Sequence, residues 1–569
     1  MVYVSPWSLG LVSSESGICL RMSSISLHAT NTILDVIVTW HPLGEMTVLL
    51  VLFSLLLSPA NSANILVTCG TFGSHLFMSA TVADLLVEQG HNVTLLSLGT
   101  DLNVNMAGRA FHWYPVSERK GSKKELVIND MIAGLLELPS RSMMVDLLVG
   151  TEHATNRSLE HAKKSFTYFN GKDFGRVMQD GKFDLVVVED TCLGITIPLL
   201  TAGIPVVGLT CSADSSWHRV KEGYPTLLFS EPSIIMRLEK NSPPTFKDRW
   251  ETTMMYLRFM KYYVGMQNNV PILADYALVE LNRVPDVRFV MDHPAVGFPY
   301  LVPPNSFSLG FFHLEGRITN PLPTDIKEFI ENCPYNDVVY MSFGSFFSNI
   351  TSFRHTETIL NAIFRTDVCL LLKSTQNARQ LYGLSTKHIL ERPWFPQKDL
   401  LGSGKVSFFI SHCGNNGRLE SIFYGVPLLC VPLFADQLHN ADRVHSKKFG
   451  VMLLKEDLTE DSFSEAVERV LESREVFAGN MNQATETIAQ DPGSGVEVLL
   501  FQVSYLLKYG NADYLRNSII KKQSMLELFN LDILLIFVGG FLAVLVLVVV
   551  GMCMLGKCAF RKLFKAKME

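Results

Sequence analysis

The chain has 569 residues, more than one ordinary domain holds, so two hydrophobic cores plus accessory segments are expected. Apolar residues make up 48% and charged residues 18%, a globular balance raised by local apolar runs. The net charge of -6 supplies no basic footprint and excludes nucleic acid as a natural partner.

In chain order, residues 1–45 form an extension without a recognisable core role. Met46 opens the apolar run Thr47 to Leu57, too short to span a bilayer, which ends in the small residues Ser58, Pro59, Ala60, Asn61, Ser62 and Ala63. That pattern predicts a signal peptide over 46–63. NILVTCG (Asn64 to Gly70) reads as a buried strand, after which Leu76, Ala80, Ala83 and Val87 recur at helical spacing until Gly90. The strand-like VTLLSL completes a strand-helix-strand unit of the kind that builds parallel sheets. FDLVVV (Phe183 to Val188) and VVGL after Pro205 continue the pattern, and VVYMSFG, CLLLK, VSFFISH and LLCVPLF repeat it in the second half. Two doubly wound α/β domains are therefore predicted, 64–300 and 301–510, joined near the Pro-rich stretch Phe298 to Asn305. Residues 220–300, rich in Met, Tyr and Pro, are expected to shape or cover an acceptor pocket.

A juxtamembrane segment, 511–532, leads into Ile533 to Leu555, an uncharged apolar run long enough to cross a bilayer. The tail 556–569 carries Lys557, Arg561, Lys562, Lys565 and Lys567, so the positive-inside rule places it in the cytosol and the upstream part in the lumen. Its final residues resemble the lysine-based retrieval signals of endoplasmic reticulum membrane proteins. The ten cysteines show no metal-ligand spacing; of Cys69, Cys192, Cys211, Cys333, Cys369, Cys413 and Cys430, several lie in apolar strand-like runs and read as buried thiols, and no disulfide is assignable. Of three glycosylation sequons, Asn156 and Asn349 are the candidates, while Asn92 leads into a strand and is expected to be inaccessible.

The informative stretch runs from Trp394 to Gln437. A buried strand, Val406 to Ile410, enters His412, Cys413, Gly414, Asn415, Asn416 and Gly417, and a helix then begins. Glycines let the backbone approach an anion, and the N–H groups and positive dipole at a helix start stabilise a diphosphate. The stretch resembles the signature of the UDP-glycosyltransferase family, which includes the glucuronosyltransferases of drug metabolism, and the resemblance extends from Asn64 onward. It implies a GT-B type fold, two Rossmann-like domains facing each other across a cleft, followed by the single transmembrane helix. It further implies that Trp394 stacks on uracil, Gln397 contacts the nucleoside, and His412, Gly414, Asn416 and Gly417 hold the diphosphate. Glu420 would accept from the ribose hydroxyls, Asp436 and Gln437 would bind the sugar, and Ser342 and Gly344 would make a second contact to the donor.

Inverting sugar transfer needs a base for the acceptor hydroxyl. His75, where the first helix begins, matches the family's catalytic histidine, and a helix N-terminus disfavours imidazolium. A carboxylate at the end of FDLVVV should orient it; Glu189 is the favoured partner, with Asp190 able to substitute. The chain lacks an Asp-x-Asp motif, so no metal and no cofactor are expected, and a UDP-sugar serves as co-substrate. The implied activity is transfer of glucuronic acid or glucose from UDP-glucuronic acid or UDP-glucose to a small lipophilic acceptor. An endogenous lipid acceptor such as a sphingolipid, and a non-catalytic lipophile-binding relative, are the alternatives. The remaining expected partners are the lipid bilayer and further copies of the chain in a homo-oligomer.

Overall fold

The computed structural model describes residues 7–14, 17–24, 62–69, 73–98, 109–116, 182–189, 203–211, 245–247, 249–250, 254, 285–299, 302–316, 319–344, 353–375, 377–383, 388–433, 436–515, 527, 530–565 and 567–568. Most of the expected signal peptide, Cys192, and the sequons at Asn156 and Asn349 lie outside the described residues. The chain divides into two units, Met1–Asn61 and Ser62–Glu569. In the first, β1 (Trp7–Ser14) and β2 (Gly17–Ser24) form an antiparallel pair.

The second unit holds two parallel sheets. The first contains β3 (Asn64–Cys69), β4 (Asn92–Leu98), β5 (His112–Val116), β6 (Leu185–Glu189), β7 (Val206–Thr210), β8 (Val287–Val290) and β9 (Ser306–Ser308), in the order β5-β4-β3-β6-β7-β8-β9. The second contains β10 (Asp337–Ser342), β11 (Val368–Lys373), β12 (Ile389–Arg392), β13 (Phe408–Ser411), β14 (Leu428–Cys430) and β15 (Gly450–Met452), in the order β12-β11-β10-β13-β14-β15. In each sheet the strand order reverses once in the middle, between β3 and β6 and between β10 and β13. Such reversal points open a crevice beyond the carboxyl ends of the strands, where doubly wound folds bind ligands.

The local chemistry explains these strands. Along β10, Val338 and Tyr340 enter one apolar cluster while Val339 and Met341 enter another, so both faces of the sheet are covered. A strand buried on both sides reads as a continuous apolar run, which is why VVYM and CLLL were legible as strands. Each fully buried Val or Leu contributes roughly 1.5–3 kcal/mol relative to exposure.

Helix α1 (Gly73–Glu88) follows β3 and stops at Gly90, whose φ of 87° lies in the left-handed region that glycine adopts without steric cost. Helices α2 (Asn415–Phe423) and α3 (Gln437–Ser446) follow β13 and β14. Helix α4 (Gly495–Tyr509) returns to the first half and lies against α1. Its first amides, on Gly495 and Val496, donate to the Glu315 carboxylate at 3.0 and 3.2 Å. A Cβ at Gly495 would meet the Leu309 carbonyl oxygen at 2.1 Å, so glycine is required for this approach. Finally, α5 (Leu531–Lys565) contains a stretch, Leu531–Arg561, that is long and apolar enough to cross a membrane.

Two expectations are corrected. Cys333 pairs with Cys369, and Cys413 with Cys430, in disulfides; Cys69 and Cys211 remain buried thiols. Spacing could not reveal the pairs because they join separate elements. Asn92 is exposed, because β4 begins at the rim of the sheet, and its side-chain amide donates to Asn64 Oδ1 at 2.7 Å.

Candidate active site

The reversal point of the first sheet carries a histidine–carboxylate pair. His75 lies in the first turn of α1 with its side chain 23% exposed, and Glu189 ends β6 with its side chain 1% exposed. His75 Nδ1 stands 2.6 Å from Glu189 Oε1. The carboxylate therefore holds the Nδ1 proton and leaves Nε2 as the lone-pair nitrogen. Asp190 lies outside the described residues.

The reversal point of the second sheet carries a tight turn. Ser342 ends β10 beside Ser411 at the end of β13, and the Gly344 amide donates to Ser342 Oγ at 3.3 Å. The His412 ring lies between two glycines: a Cβ at Gly344 would meet its Nε2 at 2.7 Å, and one at Gly414 would meet it at 2.6 Å. Burial, reinforced by the Lys373 charge, pushes His412 down to about 3, so the imidazole is neutral at any physiological pH. It offers one N–H donor rather than a full charge. Cys413 adopts φ 60°, a left-handed conformation costing a residue with a side chain about 1–3 kcal/mol, and its bond to Cys430 ties this turn to β14.

Beside the turn, Trp394 is 53% exposed and Lys373 Nζ sits 4.6 Å from its ring centroid. Lys373 closes β11 and reaches the Gly344 carbonyl at 3.4 Å. Burial lowers it to about 8, against the opposing pull of Glu420. Gln397 accepts from the Tyr340 hydroxyl at 3.1 Å and donates to Glu420 Oε2 at 2.6 Å, which fixes the Glu420 carboxylate. Burial raises the Glu420 pKa, opposed by Lys398, the Gln397 hydrogen bond and Lys373. Gly417 lies under Gln397: an added Cβ would be 3.5 Å from its Nε2.

The two halves meet through α2 and α3. Asn416 donates to the Ser74 carbonyl at 3.2 Å, beside His75, and Asn415 donates to the carbonyls of Cys211 and Met291 at 3.1 and 2.7 Å. Arg418 donates to the Val296 carbonyl at 2.6 Å and to Asp292 at 3.4 Å, while Arg443 donates to the other Asp292 oxygen at 2.8 Å. These three charged side chains are at most 1% exposed. Asp436 accepts from Asn440 at 2.9 Å; burial raises its pKa, and among the groups opposing that rise is the His75 ring of the other half. Gln437 accepts from the Leu433 amide at 2.8 Å. Sequence reasoning missed Lys373, Arg418, Arg443 and Asp292, and gave Asn415 no role beyond its place in the turn. The one local signal was Lys373, a lone charge ending an apolar run.

Chemically, the arrangement places an oriented base on one wall and, on the other, a ring, a carboxylate and a helix start suited to a nucleoside diphosphate. Known proteins resemble the chain at two levels. The family model described as "UDP-glucoronosyl and UDP-glucosyl transferase" matches residues 63–569. The chain is 25% identical over 484 residues to human UDP-glucuronosyltransferase 2B7, covering 82% of this chain and 89% of that protein. It is 24% identical over 492 residues to rat 2-hydroxyacylsphingosine 1-beta-galactosyltransferase, covering 83% and 84% respectively. Among solved structures, Os79 from O. sativa, in complex with U2F and trichothecene, superposes with a TM-score of 0.53 at 16% identity, covering 78% of this chain and 100% of that one. A UDP-glucosyltransferase from Polygonum tinctorium gives 0.51 at 14% identity, covering 79% and 99%. The likeness to these structures is one of fold, two parallel α/β sheets in the GT-B arrangement.

Proposed function

The chain belongs to the UDP-glucoronosyl and UDP-glucosyl transferase family, and on that premise we propose that it transfers glucuronic acid or glucose from a UDP-sugar to a hydroxyl of a small lipophilic acceptor, with inversion. The observation that carries the reading is the His75–Glu189 contact at 2.6 Å facing the donor turn across the Asn416 to Ser74 hydrogen bond.

The mechanism follows from the atoms. The acceptor oxygen attacks the anomeric carbon while the bond from that carbon to the UDP oxygen breaks on the opposite face. His75 Nε2 takes the acceptor's proton, and Glu189 stabilises the positive charge that develops on the ring. The negative charge leaving with UDP is met by the first amides of α2 and by the His412 N–H. Trp394 supplies a face for uracil, and Glu420, held by Gln397, accepts from the ribose hydroxyls. Asp436 and Gln437 are assigned to the sugar hydroxyls. These residues require no metal or other cofactor for the steps named.

One helix among the described residues is able to span a bilayer, and with the basic tail it supports residence in the endoplasmic reticulum membrane, with the catalytic part lumenal and the tail cytosolic. A sphingoid lipid acceptor is the second reading, favoured by the similarity to the rat galactosyltransferase. The test is to supply lumenally oriented membranes carrying the chain with labelled UDP-glucuronic acid, UDP-glucose and UDP-galactose, each with phenolic and ceramide acceptors. Donor-dependent product is expected with a phenol. Product with ceramide alone would transfer the reading to lipid glycosylation, and no product with any pair would defeat it.

A further inference from the structure

The catalytic histidine has a neighbour that sugar transfer does not use. Cys211 directly follows β7, the strand beside β6, and its thiol is buried with only 6% exposure. One ligand atom each from His75, Glu189 and Cys211 lie within 4.8 Å of one another. No spacing in the sequence announces this trio, because its members come from α1 and from the ends of β6 and β7.

We propose that His75, Glu189 and Cys211 form an inhibitory site for a thiophilic divalent cation, Zn2+ or Cd2+. An imidazole, a carboxylate and a thiolate together suit such an ion, whereas Mg2+ and Ca2+ favour oxygen ligands alone. Bonds of about 2.0–2.3 Å to a tetrahedral ion set its ligands roughly 3.3–3.8 Å apart. Nδ1 and Oε1, now hydrogen-bonded at 2.6 Å, must open to reach that spacing, and all three ligand atoms already lie within 4.8 Å of one another. The partly exposed His75 ring is the member able to turn. Three protein ligands leave the fourth position to water.

The proton balance explains why binding inhibits, a consequence that rests on His75 being the base. Before binding, Nδ1 carries the proton shared with Glu189, Nε2 holds the lone pair, and Cys211 is a thiol. The ion takes the Nδ1 lone pair, so the neutral ring carries its proton on Nε2 and has no lone pair for the acceptor. Cys211 releases its proton to solvent, giving a net one proton released per ion.

The experiment titrates the full-length, detergent-solubilised chain with Cd2+ and follows thiolate-to-cadmium charge-transfer absorption, in a Cys553→Ser/Cys558→Ser background that removes the exposed thiols of α5. One Cys211-dependent Cd2+ per chain is expected, with affinity about tenfold or more weaker after His75→Gln and the absorption lost after Cys211→Ser. At the saturating Cd2+ concentration, sugar transfer should fall about tenfold or more relative to the same protein's metal-free rate, and Cys211→Ser should abolish that sensitivity. Absorption unchanged in Cys211→Ser and in His75→Gln would overturn the site. Cys211-dependent binding without loss of rate would overturn the inhibition. A chain with no metal-free transfer activity would instead count against the proposed function, and the binding titration would still decide the site.

Discussion

Lys373 stands beside the His412 turn and titrates close to physiological pH. Burial lowers it to about 8, so it is charged below that pH and neutral above it. A bound diphosphate favours the charged form and raises that pKa, so donor affinity should be full below about pH 8 and decline as pH rises through it. The KM for the UDP-sugar measured from pH 6 to 10 should therefore climb above about 8, and Lys373→Arg, charged throughout, should flatten the climb. A profile identical in both proteins would remove Lys373 from donor binding. The disulfide at Cys413 makes a second residue-scale prediction. Cys430→Ser should lower unfolding stability by about 2–4 kcal/mol and raise the donor KM, because Cys413 then keeps its left-handed backbone without its tie. Cys333→Ser should cost similar stability while leaving the donor KM unchanged, since Cys369 lies near the start of β11 and Lys373 at its end.

At the scale of elements, the strands were legible and their partners were not. β3, β6, β7 and β10 are apolar-rich runs, Val above all, buried on both faces, and such runs announce themselves. The expected strand Val406 to Ile410 appears as Phe408–Ser411, a shift of one or two residues at the ends. The contacts that bring α2 and α3 to the first half come from chain separations of 122 to 342 residues, as with Arg418 to Val296, Arg443 to Asp292 and Asn416 to Ser74, and no local pattern encodes them. The two disulfides were hidden for the same reason. Asp292 is the clearest test of this joint, because both of its oxygens meet buried arginines. Asp292→Ala leaves two buried cations without their counter-charge and should cost about 3–5 kcal/mol, read by chemical unfolding. A loss below 1 kcal/mol would show that the triad does not hold the halves together.

For the molecule as a whole, the donor signature was legible because it is contiguous from Trp394 to Gln437, whereas the catalytic centre is spread over both sheets. His75 and Glu189 are 114 residues apart, and the Asn416 to Ser74 bond spans 342. Reading Glu189 from the sequence rested on an ungapped count against the family pattern along FDLVVV, with strand register favouring it over Asp190; in the structure its carboxylate meets the His75 ring. The fold brings the two sheet reversal points together, one presenting the His75–Glu189 pair and the other the His412 turn. Transfer should therefore require both walls, while UDP binding should require mainly the second. The direct measurement is the single-turnover rate of sugar transfer by His75→Ala at saturating donor, alongside UDP affinity by calorimetry. The expected result is a rate about 10²–10⁴-fold below that of the unaltered chain with UDP affinity unchanged, and an undiminished rate would contradict the role given to His75.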